Sequence, residues 1–297
     1  MNHEIPKILI LGAGGMLGHK LCQDLPKLGY SVTGTIRRTK SYYDQYKYIF
    51  KEVDLIDKLE ITDNVNLNKI VDNFQPDAIV NCIGIIKQCS DANDKGLCHG
   101  INVDLPHKLS DISKNSYIKL IHISTDCIFS GNKGNYTEED ESDVDDLYGR
   151  SKFLGEVQHE NAITLRTSLI GPELFTQRGL FEWFISQKKQ VHGYKNAIFS
   201  GFTTIEFARI IHKILEMNPF KGGLYHVASK PINKNDLLML IKKYMEHSIN
   251  IIGVDKPYID RSLNSDRFYQ DFDYTAPEWE DMISELMITL ESRNIRL

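Results

Sequence analysis

An α/β fold built on a parallel sheet with helices on both faces follows from three observations in this 297-residue chain. Short apolar runs alternate with segments of helical spacing through residue 170. The runs are continuous rather than alternating, as strands buried on both faces require. The first run ends in glycines that open directly into a helix, the start of a nucleotide-binding βα unit. Together these predict a Rossmann-type doubly wound parallel sheet, followed by a smaller C-terminal α/β substrate lobe.

Lys7–Leu11 (KILIL) is the first buried strand, and Met16–Leu28 a helix with Leu17, Leu21, Leu25 and Leu28 on one face. Ser31–Ile36 and Tyr48–Val53 read as the second and third strands, and Asn66–Phe74 as a helix. Ala78–Ile83 is a fourth strand, Asn102–Ser113 a helix and Ile118–Ile123 a fifth strand. Asp146–Glu160 and Ala162–Arg166 supply a further helix and strand. Beyond Gly171-Pro172 the pattern changes, which divides the chain into residues 1–170 and 171–297, the second part partly interleaved with the first. There Leu180–Lys188, Ile205–Leu215 and Asn235–Met245 are helical, and Gly223–Ala228 is strand-like. Glu138–Asp146 holds seven acids in nine residues and reads as a solvated loop.

Forty acids against thirty-five bases give a formal net charge of −5, which argues against a nucleic-acid binder that reads phosphate by bulk charge. No window reaches the ~18 uninterrupted apolar residues of a bilayer span. The N-terminal segment places an acid and a proline where a secretory signal carries basic residues, so a cytoplasmic protein is expected. Five cysteines (Cys22, Cys82, Cys89, Cys98, Cys127) at irregular spacing suit free thiols in a reducing compartment. Cys82, Cys89, Cys98 and His99 match no zinc spacing, so no metal site is expected.

The turn Gly12-Ala13-Gly14-Gly15-Met16-Leu17-Gly18 carries the spacing GxxGxxG between the first strand and the first helix. Gly12 suits the tight turn, Gly15 lets backbone approach a pyrophosphate, and Gly18 lets helix and strand pack closely. Met16 and Leu17 begin the helix whose N-terminus would hold the phosphate. Where NAD-binding folds end the second strand in an acid, this chain has Arg37-Arg38, which suits the 2′-phosphate of NADPH. Asp54-Leu55 after the third strand is a candidate adenine contact.

Tyr148 and Lys152 stand four apart, on one face of a helix. A neighbouring ammonium favours the phenolate, so Tyr148 can serve as proton donor to a carbonyl while NADPH delivers hydride. Lys152 can also hold the nicotinamide ribose. Ser124-Thr125 ends the fifth strand, at the carboxyl edge where such folds place ligands.

With these residues in view, the chain resembles the extended short-chain dehydrogenase/reductases, and among them the dTDP-4-dehydrorhamnose reductases and their UDP-sugar relatives. The resemblance covers nearly the whole chain. It is sharpest at Ser124–Gly131 (STDCIFSG), Tyr136–Asp140 (YTEED) and Tyr148–Glu156 (YGRSKFLGE). Asn81–Gly84, Asn102–Asp104, Arg166–Ser168 and Arg261–Leu263 match as well. The resemblance implies Thr125, Tyr148 and Lys152 as catalytic, with Cys82, Ile83 and Gly84 beside the cofactor and Ser124 and Thr125 beside the substrate. It implies a nucleotide-linked 4-keto-6-deoxyhexose substrate, reduced at C4, and a homodimer as a further expectation. L-rhamnose and its 2-acetamido counterpart on UDP compete as the sugar. Cys127 and Gly201–Thr204 depart from the dTDP-sugar pattern and favour UDP.

Cys127 stands where the rhamnose enzymes have tyrosine, and where the related GDP-fucose synthase has a cysteine that moves protons beside the 4-keto group. A thiol is a competent acid/base next to an acidic α-proton, so epimerisation at C3 and C5 before reduction is a further expectation. The partner histidine of that enzyme is missing from Thr176–Gly179, and His192 is offset. Cys127 as a small packing residue is the alternative. Trp183 and Phe184 suit the core, or Trp183 the sugar pocket. Arg261 could meet a substrate diphosphate, with Lys195 and Tyr225 weaker candidates. His122 suits the core, and Glu139 and Asp140 a loop. A non-catalytic NADP-binding subunit like the regulatory partner of methionine adenosyltransferase is the rival from another class. A 4,6-dehydratase would want Asp-Glu after the threonine, where this chain has Asp126-Cys127.

Overall fold

The computed structural model describes residues 4–59, 64–87, 93–245 and 249–291; Cys89 lies outside them. In chain order the elements are β1 (Lys7–Leu11), α1 (Met16–Asp24), β2 (Ser31–Thr35), β3 (Val53–Ile56), α2 (Asn64–Phe74) and β4 (Ala78–Asn81). Next come α3 (Lys95–His99), α4 (Leu105–Ser116), β5 (Lys119–Thr125), α5 (Leu147–Leu154), β6 (Ala162–Thr167), β7 (Leu169–Ile170) and α6 (Leu180–Ile185). Then follow β8 (Gln190–Tyr194), β9 (Ala197–Phe199), β10 (Phe202–Thr203), α7 (Thr204–Glu216), β11 (Gly223–His226), β12 (Ile232–Asn233) and α8 (Lys234–Lys242). The last are β13 (Asn250–Val254), β14 (Ile259–Asp260), α9 (Asp266–Phe272) and α10 (Trp279–Glu291).

Two compact units emerge, and the chain crosses between them five times. The first comprises residues up to Ser124, Asp145–Leu165 and Ala208–Leu224; the second comprises Thr125–Val144, Arg166–Phe207 and Tyr225 onward. Neither unit is a contiguous stretch of the chain.

The first unit is organised by a seven-stranded sheet in the order β11-β6-β5-β4-β1-β2-β3. The pairs β3·β2, β2·β1, β1·β4 and β4·β5 are parallel. The order reverses between β1 and β4, the doubly wound signature that puts ligands at the carboxyl ends of those strands. Leu9, Leu11, Ile79 and Leu120 are fully buried and pack with Leu67, Val71, Leu105 and Leu109 from the helices. Each such side chain contributes ~1.5–3 kcal/mol by leaving water.

Four sequence expectations shift. The third strand is Val53–Ile56 rather than 48–53, because Ile49 and Phe50 are buried as turn residues and Tyr43 packs edge-on against Phe50. Helix α5 stops at Leu154, before Gly155, where only glycine fits because a Cβ would strike the Asn102 carbonyl. Residues 223–226 form the seventh strand of the central sheet. The larger part of α7 also belongs to the first unit: Lys119 Nζ donates to Leu215 O at 3.2 Å, and Tyr30 meets His212 edge-on at 5.6 Å. Amphipathic periodicity identified both elements but carried no information about which sheet they join.

The second unit has small sheets, β10-β7, β12-β9-β14 and β13-β8, and a phenylalanine core. Phe181, Phe184, Phe202, Phe207 and Phe268 have no exposed surface, and Phe268 stacks on Phe272 at 4.6 Å. The acidic 138–146 stretch is a loop with Glu139, Glu141, Asp143 and Asp145 exposed, as expected, and it is also tied down by hydrogen bonds and an ion pair. Glu138 accepts from the His226 amide, Asp140 pairs with Lys133, and Asp143 accepts from Ser130. At its end Asp146 caps α5 through the Gly149 amide and pairs with Lys87.

Candidate active site

The glycine turn has the form its spacing predicts. Gly12 adopts φ +84°, and a Cβ there would meet Ile83 Cγ1 at 2.9 Å and the Cys82 backbone at 3.3 Å. At Gly18 a Cβ would collide with the Gly12 carbonyl, so helix and turn are in direct backbone contact. Gly15 is exposed and caps α1 without a side-chain hydrogen bond, which leaves the amides of Met16 and Leu17 open to an anion. The Leu17 side chain is 5% exposed and lies in the core, so only its backbone is available. His19 Nδ1 donates to Gly15 O at 2.8 Å and pins the turn. The Gly12 and Ala13 amides donate to Thr35 Oγ1 and Thr35 O, tying the turn to β2.

Arg37 and Arg38 follow β2 as exposed residues, and Arg38 lies 4.3 Å over the Tyr42 ring. Among the described residues no carboxylate pairs with either guanidinium. Asp54 and Leu55 sit inside β3, in register with Thr33 and Gly34, rather than after it. Asp54 is exposed, and Leu55 packs toward Gly34.

Lys152 lies on α5, is 4% exposed, and donates from Nζ to Ile123 O at 2.7 Å. Burial pulls its ammonium down to about 8 from the usual 10.5, opposed by the charges of Glu156 and Cys82. A Cβ on Gly84 would stand 3.9 Å from that Nζ. Within the first unit, then, Gly12, Cys82, Ile83, Gly84 and Lys152 come together at the carboxyl ends of β1, β4 and β5. Cys82 is half-buried, and its thiol is pushed up to about 12 by desolvation. It is a wall, not a nucleophile. Tyr148, one turn before Lys152 on α5, is half-buried, with Lys87 Nζ 5.9 Å from its ring centroid.

Three residues that sequence reasoning gave no role organise this region. Asn102 sits in a π-turn, Gly100–Asp104, between α3 and α4. It accepts from the Ile85 amide at 2.9 Å and donates to Ile85 O at 3.1 Å and Ser151 Oγ at 2.9 Å. Glu156 accepts from Ser124 Oγ at 2.7 Å, so the hydroxyl expected to face substrate is already engaged. Asn81 receives the Ile83 amide and donates to His122 Nδ1 at 3.1 Å. His122 is fully buried and held neutral by desolvation, as a core histidine should be. Glu156 could have been found from its position four after Lys152; the other two announce themselves only through tertiary contacts.

In the second unit, Thr125 Oγ1 donates to Asp126 Oδ1 at 3.2 Å and accepts the Cys127 amide at 3.1 Å. Asp126 is buried, which raises its carboxyl above the usual range, with Arg261 and bonds from Cys127 and Thr125 pulling the other way. Arg261 Nε donates to Phe129 O at 2.7 Å. Thr125, Cys127 and Arg261 therefore share one neighbourhood. Trp183, at 36% exposed, is at the surface of α6 while Phe184 is core. His192 and Lys195 are exposed, and the Tyr225 hydroxyl donates to Asp271 at 2.7 Å. Among the described residues no cluster of metal-ligating side chains occurs, and no helix is long and apolar enough to cross a membrane.

Residues 6–236 match the RmlD substrate binding domain. The spore coat polysaccharide biosynthesis protein SpsK of Bacillus subtilis (strain 168) is 28% identical over 238 residues, 76% of this chain and 74% of that protein. The dTDP-4-dehydrorhamnose reductase of Aggregatibacter actinomycetemcomitans is 25% identical over 235 residues, with 76% and 74% covered. Methionine adenosyltransferase 2 subunit beta of Bos taurus is 28% identical over 151 residues, half of this chain and 41% of that protein. Among solved structures, the dTDP-4-dehydrorhamnose reductase of Bacillus anthracis in complex with NADP shares the fold, with a TM-score of 0.78 at 20% identity over 96% of this chain and 100% of that one. A match across more than three quarters of the sequence, on the strand order and glycine turn described above, makes this chain a member of the RmlD substrate-binding domain family.

Proposed function

We propose that this chain is a reductase that uses NADPH to reduce the C4 keto group of a nucleotide-linked 4-keto-6-deoxyhexose. The observation that carries this reading is the Lys152 ammonium, held by Ile123 O beside Gly84 and the Gly12 turn. The turn suits a dinucleotide: positions 12 and 18 admit no Cβ, the first amides of α1 are open, and Arg37-Arg38 offers two cations to a 2′-phosphate. The relatives with matching names support the substrate class.

The bound dinucleotide would supply the hydride. Tyr148 then gives its proton to the carbonyl oxygen as that oxygen gains charge, and Lys152 keeps the phenol acidic by its positive charge. Lys152 would also hold the nicotinamide ribose. From the second unit, Thr125, Arg261 and Trp183 are the residues assigned to the substrate in this reading, Thr125 to the carbonyl, Arg261 to the diphosphate and Trp183 to the sugar. Cys127 serves as acid/base at C3 and C5, so that epimerisation precedes reduction. UDP is favoured as the nucleotide by Cys127 and Gly201–Thr204.

The test is incubation with NADPH and the 4-keto-6-deoxy products of UDP-glucose, UDP-N-acetylglucosamine and dTDP-glucose dehydration. Loss of the nicotinamide absorbance is expected with one of the UDP sugars. Retained NADPH binding without oxidation of any of them overturns the reductase reading and favours a regulatory NADP-binding subunit. Full solvent-deuterium incorporation by Cys127→Ser removes the thiol from the mechanism.

A further inference from the structure

Gly14 is the one glycine of the turn that the GxxGxxG spacing leaves unexplained. Its backbone is outside the left-handed region, so conformation does not require glycine there. Space does. The three nearest atoms to a Cβ at Gly14 all belong to Tyr43: the hydroxyl, with which it would collide, and Cε1 and Cζ at 2.9 Å.

Tyr43 lies in the helical turn Lys40–Tyr46 that follows Arg37-Arg38. It is 8% exposed, while Lys40, Ser41, Tyr42 and Asp44 around it face solvent. Its ring is wedged edge-on between Tyr42 at 5.7 Å and Phe50 at 5.8 Å. Tyr42 in turn carries Arg38 over its face at 4.3 Å. The Lys40 amide donates to Asp57 Oδ2 at 3.0 Å, which fixes the start of the turn. A single rigid ring thus joins the glycine turn to the segment bearing both guanidiniums.

We propose that Tyr43 is a specificity-determining residue for the dinucleotide, its hydroxyl over Gly14 completing with Arg37 and Arg38 a pocket for the adenosine 2′-phosphate. This inference rests on the NADPH reading above. Three features support the chemistry. A phenolic hydroxyl is a hydrogen-bond donor to phosphate. Both arginine charges act on the Tyr43 hydroxyl, partly offsetting the rise that burial causes in its pKa. The braced ring also holds the pocket ready before the ligand arrives, which lowers the ordering cost of binding.

The test is isothermal titration of the intact chain with NADPH, NADH and adenosine 2′,5′-bisphosphate. Tyr43→Phe, which keeps the ring and removes the hydroxyl, is expected to raise Kd about 10- to 150-fold for NADPH and for the bisphosphate, the range of one hydrogen bond to a charged group. Kd for NADH is expected to stay within about twofold. A loss shared equally by NADPH and NADH, or no loss at all, reduces Tyr43 to a packing residue and overturns the proposal. Arg37→Ala/Arg38→Ala separates the two layers of inference. If the double variant keeps the full preference for NADPH over NADH, the arginine pair does not read the 2′-phosphate, and the reading beneath the proposal fails with it.

Discussion

Ser124 donates its hydroxyl to Glu156 Oε1 at 2.7 Å, and Glu156 stands four residues beyond Lys152. A strand-end serine thereby fixes the carboxylate that acts on the buried ammonium. The groups acting on or beside that ammonium are Glu156, Cys82 and His122, and only Glu156 among them is a carboxylate. Glu156→Gln removes its charge and is expected to move the alkaline limb of the activity profile, set by Lys152 near pH 8, down by roughly half to one pH unit. The pH dependence of NADPH oxidation measures it, and Glu156→Asp is expected to restore most of the shift.

Tyr148→Phe removes the proton donor and leaves the ring. Turnover is expected to fall ~10²–10⁴-fold, the usual worth of general acid catalysis, with the NADPH dissociation constant nearly unchanged. Rapid-mix absorbance traces and a binding titration separate the two effects.

Asn102→Ala would strand the buried Ile85 amide and remove a bond to the α5 residue Ser151. A loss of about 2–4 kcal/mol of stability is expected, since an unsatisfied buried donor adds to the lost hydrogen bonds. Urea unfolding followed by circular dichroism reads it directly.

His226 accepts from Arg166 Nη1 at 3.1 Å and donates from Nδ1 to Tyr136 O at 2.9 Å, an arrangement open only to the neutral ring. Burial and the Arg166 charge hold its pKa at about 3 instead of 6.5. Between those values the unfolded chain binds a proton that the folded chain refuses. Stability therefore rises with pH through that window and is lost on acidification from 6.5 toward 3. His226→Gln is expected to flatten this part of the stability profile, measured by thermal unfolding at pH 4, 5, 6 and 7.

The strand–turn–helix at Gly12–Gly18 was fully legible, because its physics is local: one positive φ, one close backbone approach, and an open helix end. Lys152 was legible as a charge one turn from a phenol, but not as a buried one, since no local pattern reports that the Ile123 carbonyl waits for it. Tyr43 and Asn102 were illegible for the same reason. Each acts on a segment distant in sequence, Gly14 in one case and Ile85 and Ser151 in the other. The second unit was read least well: its strands are two to five residues long, and its chain shares β6, α7 and β11 with the first.

That sharing governs how the protein can be made and cut. Neither unit exists as a contiguous stretch of polypeptide, so a product released near residue 170 would lack the seventh strand and most of α7. The exposed margin of β6 would then be a sticky edge, prone to recruit other chains. Ribosomal synthesis must pass His226 before the seventh strand of the central sheet is available.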